Sequence, residues 1–147
     1  MSAYTPIQCP QITNLRLLKK ALAAALNVRE QDMLFFEKGT NLKGYRHETQ
    51  RAHLVLAGTQ HGKGVVVTSP GGYNDVGFER VETDGVTHWV PHVPDHDGAF
   101  ANTDWLRRTL ALYAEEMTME NAIAEGYGVE KTVLPDGRIQ LVCSRYS

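Results

Sequence analysis

Three histidines stand four residues apart in the second half of the chain, and their spacing is the clearest candidate for chemistry. They are His88, His92 and His96, and Asp95 and Asp97 flank the last of them. Imidazole nitrogens and carboxylate oxygens are the ligands that zinc, iron and manganese take in proteins. A metal-dependent enzyme that uses a divalent metal is therefore one hypothesis for this chain.

The backbone of this segment argues against a shared ion. On a helix the spacing would converge on one metal, but Pro91 and Pro94 interrupt a regular helix. In an extended chain, residues four apart face the same way but lie roughly 13 Å apart, which is too far to share an ion. A bent loop, or His47, His53 or His61 arriving from elsewhere, would be needed. We expect a solvated loop and no cofactor, with the divalent metal as the alternative.

A glycine-rich stretch, residues 61–64 followed by 69–73, is a second candidate. Amides freed by glycine can bind a phosphate, and Lys63 would add a positive charge. Both the phosphate-loop and the dinucleotide-binding pattern place the glycines between a strand and a helix. This order is not found here, so the stretch matches neither pattern. Two turns explain the glycines more simply, and Lys63 stays a candidate binding residue.

The polar stretch from Gly44 to Arg51 is our preferred binding surface. Arg46 and Arg51 could clamp a carboxylate or phosphate, Tyr45 could stack on a ring, and Thr49 is a further polar group in the same loop. The structural alternative is that the tyrosine packs under the loop and the arginines are solvated.

No nucleophile is indicated. Cys9 precedes a proline and Cys143 lies inside a strand pattern, where a small buried residue is the common role. No elbow motif surrounds the serines. We expect both cysteines to be reduced, with a bridge between them as the alternative, and we assign no catalytic residue.

Length and composition indicate a single domain over residues 1–147. The chain is long enough to bury a core, and 42% hydrophobic and 22% charged residues are ordinary values for a globular protein. No apolar run approaches the roughly twenty residues that cross a bilayer, and no secretion signal is evident. We expect no membrane association and a cytoplasmic location, which includes an organelle stroma or an infected host's cytoplasm.

The net charge of −2 conceals an asymmetry. Residues 1–74 hold nine Lys and Arg against four Asp and Glu, whereas residues 75–147 hold six against thirteen. The two predicted helices differ in the same way, through Arg16, Lys19 and Lys20 on the first and Glu115, Glu116 and Glu120 on the second. Separate helices would give a basic and an acidic face that favour a charged partner or self-association. Interleaved charges would neutralise each other instead.

Two amphipathic helices are predicted. The first has about fourteen residues from Leu15 and is capped by Thr13 and Asn14. The second begins near residues 102–104 and ends before Gly126, and one apolar stripe runs along it: Leu106, Leu110, Tyr113 and Met117.

Short apolar runs separated by turns predict the strands. They are Thr5–Cys9, Met33–Phe36, His53–Ala57, Val65–Val67, Val76–Val81, Val86–Val90, Tyr127–Leu134 and Arg138–Cys143. Asp84-Gly85 and Pro135-Asp136-Gly137 are hairpin turns in this interpretation. Most connections are too short for a parallel crossover. The predicted class is α+β, a largely antiparallel sheet with two helices packed on one face.

Several short motifs occur in an order that resembles a known family. They are Thr13-Asn14-Leu15, Gly44-Tyr45-Arg46, Tyr73-Asn74-Asp75-Val76-Gly77-Phe78, and a tail from Tyr113 through Glu125-Gly126-Tyr127 to Arg145-Tyr146. Their order is similar to that of the chloroplast hypothetical-reading-frame family, small proteins of plastids, cyanobacteria and other bacteria whose biochemical function is unassigned. The resemblance supplies no catalytic residue, and the segment from Thr83 to Asn102 is longer here.

These observations predict a small non-enzymatic binding or accessory protein that acts through the Gly44–Arg51 loop and the adjacent sheet face. The expected partner is another protein or an anionic small molecule, and self-association is a further expectation. Single-stranded nucleic acid is an alternative that rests on the basic first half and on Tyr45, Phe35 and Phe36. A pI near 6.3 and the lack of a dense Lys/Arg cluster argue against it.

Overall fold

A five-stranded antiparallel sheet forms the centre of the computed structural model, which describes residues 4–6, 11–44, 50–94 and 103–145. Its strands are β1 (Tyr4–Pro6), β2 (Leu34–Asn41), β3 (Arg51–Leu56), β4 (Val76–Thr83) and β5 (Val86–Pro94). Their order across the sheet is β1-β5-β4-β3-β2. The long registers of β4 with β5 and of β2 with β3 make these two hairpins the frame of the sheet.

Two helices, α1 (Leu15–Leu26) and α2 (Asp104–Ala124), pack on the same side of this sheet, which we call the inner face. The main core lies between them and the sheet. It contains Leu17, Leu18, Leu22, Trp105, Leu106 and Tyr113 from the helices, and Leu54, Leu56, Val76, Phe78, Trp89 and Val93 from the strands. The predicted α+β class, with a largely antiparallel sheet and two helices on one face, is confirmed.

The start of α1 is fixed by two sets of hydrogen bonds. The side-chain oxygen of Asn14 accepts from the amide of Leu17, as the predicted cap requires. The hydroxyl of Tyr113 on α2 accepts from the amides of Thr13 and Asn14, both at 3.0 Å. The helix ends after twelve residues, because Asn27 adopts a left-handed conformation with φ of 55°.

The opposite charges of the two helices face each other. Arg16 donates to Glu120 at 2.6 Å and Lys20 donates to Glu116 at 3.0 Å, so the helices run antiparallel. The charges therefore interleave along the helix pair. Of the two arrangements that the sequence left open, neutralisation is the one found here.

A second sheet, the hairpin of β6 (Tyr127–Val133) and β7 (Ile139–Arg145), follows α2. Gly126 and Gly137 have φ of 89° and 87°, which only glycine adopts without strain, so the predicted helix stop and turn are both confirmed. Lys131 pairs with the buried carboxylate of Glu115 on α2 at 2.7 Å. Cys143 is exposed, so the buried position expected for it in a strand is wrong.

The strand predicted at Val65–Val67 is wrong. These residues lie in an irregular connection between β3 and β4, and Val66 and Val67 are exposed. The strand order places β2 and β4 on the two sides of β3, so residues 65–67 are not a neighbour of β3 in the sheet. The connection is held by Thr68, whose amide and hydroxyl bond to the backbone of Ala57.

The Tyr113 hydroxyl is the point at which α2 fixes the start of α1, so Tyr113→Phe leaves two amides without their acceptor. We expect a loss of about 1–3 kcal/mol in the free energy of unfolding. Arg16→Gln removes an exposed ion pair between the same helices and is expected to cost less than about 1 kcal/mol. Urea unfolding of both variants tests whether Tyr113→Phe loses more free energy of unfolding than Arg16→Gln. Equal losses would contradict this account.

Candidate functional site

The candidate site lies on the outer face of the sheet, the side away from α1 and α2. The segment after β2 crosses this face. Leu42 lies against Gly77, where an added Cβ would come within 2.6 Å of its side chain, and the position of Gly44 is close to the Tyr4 hydroxyl. On the other flank of the Gly44–Arg51 loop, Gln50 reaches His92 on β5. Both flanks of the predicted binding loop therefore lie on the outer face.

A buried carboxylate anchors this region. The side chain of Asp75 is fully buried and accepts the amide of Gly58 at 2.9 Å and that of Lys43 at 2.9 Å. It also contacts Nδ1 of His61 at 2.8 Å, while its own amide donates to the carbonyl of Lys43. Every oxygen of the carboxylate is thus bonded, and three separate connections are joined at one residue. A carboxylate held in this way orients the His61 ring and fixes which nitrogen is bonded.

Three side chains converge at β5, and we call them the His92 cluster: His92, Glu79 and Gln50. Nε2 of His92 lies 2.9 Å from Oε1 of Glu79 and 3.3 Å from Nε2 of Gln50. The His92 side chain is only 7% exposed, whereas that of Glu79 is 31% exposed. The register explains the position, because His92 pairs with Gly77 across the sheet and its ring has room beside a residue without a side chain.

One imidazole nitrogen cannot satisfy both neighbours in the His92 cluster. When Nε2 carries a proton it can donate to Glu79, but then it cannot accept from Gln50. When it carries a lone pair it can accept from Gln50, but then it faces a carboxylate without a proton between them. The Gln50 amide nitrogen also donates to the carbonyl of Arg51 at 3.0 Å. This bond orients the side chain so that its nitrogen, a donor, faces His92. Nδ1 of His92 is buried and has no partner among the described residues.

The predicted loop residues fall partly outside the described part of the chain. Tyr45, Arg46 and Thr49 belong to residues 45–49, which are not described. Arg51 donates to the carbonyl of Lys38 on β2, so its guanidinium helps to hold the irregular β2–β3 pairing. Lys63 is exposed in a turn and lies outside the His92 cluster.

The histidine spacing does not create a metal site in the described region. His88 and His92 both lie on β5, an extended strand, which confirms the extended geometry that separates them. His96 falls among residues 95–102 and is not described. Among residues 4–6, 11–44, 50–94 and 103–145, no group of three His, Cys, Asp or Glu side chains is placed to hold a metal ion.

Two aromatic residues of the nucleic-acid alternative, Phe35 and Phe36, are not brought together, and the third, Tyr45, lies outside the described residues. Phe35 contacts Trp89 with ring centroids 6.3 Å apart, whereas Phe36 packs against the apolar cluster of the outer face. Consecutive strand residues point to opposite faces, so the two phenylalanines cannot form one stacking platform.

The surroundings of His53 favour its neutral form. Its Nδ1 accepts the backbone amide of Arg80 at 3.0 Å, which requires a lone pair on that nitrogen. Burial lowers the pKa of His53 below the ordinary histidine value, and the charges of Arg80 and Arg51 lower it further. The ring packs edge-on against Trp89. His53 is therefore held neutral as part of the sheet.

Comparison with protein-family models, with curated proteins and with solved structures gives no match for this chain. The resemblance to the chloroplast family stays a prediction. Neither α1 nor α2, nor any other helix in the described ranges, has the length and apolar character needed to span a bilayer.

Sequence reasoning missed Glu79 and Gln50, and it did not assign Asp75 a role. An aspartate directly before an apolar strand was the available signal for a buried anchor. The meeting of Gln50, Glu79 and His92 depends on which strands are neighbours, and no local pattern carries that information.

Asp75→Asn replaces one of the two acceptor oxygens by a donor, so at least one of the bonds to Gly58, Lys43 and His61 is lost inside the protein. We expect the free energy of unfolding to fall by about 1–3 kcal/mol. Asp136→Asn, at an exposed turn carboxylate, is the matched control and should change it by less than about 1 kcal/mol. Chemical denaturation checks both, and a small effect at Asp75 would refute the anchoring role.

The histidine titration curves should separate His53 from ordinary histidines. The folded state binds fewer protons there than the unfolded chain, so the stability from neutral His53 is complete above the ordinary pKa. It declines as the pH falls below that value toward the lowered one. NMR titration should give a depressed pKa for His53, and Arg80→Gln should raise it. Arg107→Gln, on α2, should leave it unchanged, and a pKa at the ordinary value would contradict this account.

Proposed function

We propose that this chain is a non-enzymatic binding protein that recognises an anionic group at the outer face of its sheet, beside the Gly44–Arg51 loop. The anionic group is a carboxylate or phosphate, carried either by a small molecule or by a side chain of a partner protein. A cytosolic compartment and self-association belong to the same proposal.

The observation that carries this proposal is the unmet hydrogen bonding of the His92 cluster. Buried polar groups in stable proteins are almost always bonded, and each exception calls for an explanation. At His92 an acceptor and a donor compete for one nitrogen, and the other nitrogen has no described partner. A ligand that accepts from Gln50 and from a protonated His92 resolves the conflict.

The chemistry of the cluster favours an anion. The carboxylate of Glu79 already lies against the imidazole, so the position suits a negatively charged oxygen. Because Glu79 is partly exposed, its side chain can turn toward solvent when another anion takes its place. Lys43 is exposed next to Leu42 on the segment that crosses this face, and its ammonium donates to the carbonyl of His61 at 3.2 Å.

The test is an NMR titration of the labelled protein with inorganic phosphate and, separately, with a hexaglutamate peptide. We expect the imidazole signals of His92, assigned with a His92→Gln variant, to shift as the ring becomes the protonated donor. Phosphate binding that exceeds peptide binding points to a small molecule. The reverse order points to a protein partner.

Two surface lysines provide a matched control that does not disturb folding. Lys43→Gln should weaken binding about fivefold, because it removes a positive charge from the segment that crosses the outer face. Lys38→Gln removes the same charge from β2 and should have little effect. Binding that leaves the His92 signals unmoved, or that responds equally to both variants, would refute the proposal. A stoichiometric metal in protein purified without a metal-affinity tag, lost in His92→Ala, would favour the enzyme alternative.

A further inference from the structure

A groove lies at the start of α2, on the side of the sheet that carries the helices. It is distinct from the candidate site on the outer face. Its walls come from the end of α1, from the irregular connection before β4, and from the first turns of α2. The residues that matter most are Leu26, Val28, Val67, Asp104, Trp105 and Arg108. We call it the Trp105 groove.

The indole of Trp105 lines this groove and has a polar atom without a partner. Trp105 is 5% exposed, and its Nε1 is buried with no acceptor in the described ranges. A buried indole N–H normally finds an acceptor. The ring packs in the main core, so its position is fixed by apolar contacts.

Positive potential converges on the same place. The groove meets the N-terminal end of α2, a helix of 21 residues, and Thr103 at its N-cap makes no side-chain capping bond. Arg108, one turn into the helix, makes only a long contact of 3.4 Å to the carbonyl of Ala25. Asp104 is the negative group at the rim, and Arg107 pairs with it at 3.1 Å, which offsets its charge.

The remaining walls are mixed, because Thr68 and Ser69 line the groove beside three apolar side chains. Leu26 and Val28 come from the end of α1 and the residues that follow it, and Val67 lies on the connection before β4 with 42% of its surface exposed. An anion with no apolar part would leave this surface in water. A ligand with a carboxylate at one end and a hydrocarbon body would cover it.

We propose that the Trp105 groove is a binding site for a small amphipathic carboxylate, with its head group at the Trp105 indole and Arg108 and its hydrocarbon body against Leu26, Val28 and Val67. The site is separate from the His92 cluster, and the proposal does not depend on the function proposed above.

The experiment uses hexanoate as the probe and the indole N–H signals as the readout. The chain contains two tryptophans, Trp89 and Trp105, so the spectrum of labelled protein has two indole signals, and Trp105→Phe assigns them. We expect hexanoate to move the Trp105 signal downfield, as a new hydrogen bond does, and to leave the Trp89 signal in place. Hexanamide, which keeps the hydrocarbon body but lacks the charge, should bind at least about tenfold more weakly.

Variants at exposed arginines separate binding from folding. Arg108→Gln should raise the Kd for hexanoate about tenfold, because a charge-assisted bond is lost. Arg16→Gln removes the same charge near the far end of α1 and should not change the Kd. The proposal is overturned if the Trp105 signal stays in place, if both variants behave alike, or if inorganic phosphate binds here as tightly as hexanoate. A shift of the His92 signals without a shift of Trp105 would support the outer-face site and reject this one.

Discussion

The bonds made by the Asp75 carboxylate are the constraint on which the rest of the structure depends. This residue ends the irregular connection before β4, and it bonds to Gly58 after β3 and to Lys43 after β2. The position of residues 42–44 on the outer face follows from this, because Lys43 is held by both its amide and its carbonyl. A neutral side chain with a single acceptor oxygen would bond only some of these groups.

The two faces of the sheet differ in what covers them. The inner face is covered by α1 and α2 and carries the main apolar core, which accounts for most of the stability of the domain. The outer face has a small apolar cluster around Leu42 and Val55, and beside it lie titratable side chains in partly buried positions. Burying such groups costs free energy unless they are fully bonded. We therefore expect a binding site on the face that combines a small apolar cluster with partly buried titratable side chains.

Much of the fold was predictable because the sequence signals are local. Asn14 acts through its own side chain, Gly126 and Asp84-Gly85 act through their own backbone conformation, and each is found in its predicted role. The Val65–Val67 strand failed because three valines satisfy the local pattern, whereas β3 has β2 and β4 as its two neighbours in the sheet. The His92 cluster could not be predicted for the same reason, since it depends on strand order and register.

A comparison of Asp75 with His92 separates a structural role from a binding role. Both are buried polar side chains on or beside the outer face, yet Asp75 has all its acceptor positions filled from within the chain, and His92 does not. The first arrangement stabilises the fold and leaves nothing for a ligand to contribute. The second leaves hydrogen-bonding capacity that the described residues cannot use. The indole of Trp105, on the helix side of the sheet, also has a hydrogen-bond donor that no described residue accepts. Polar groups whose bonding the described residues leave incomplete are therefore a better guide to binding in this molecule than the histidine spacing, because packing fixes their position.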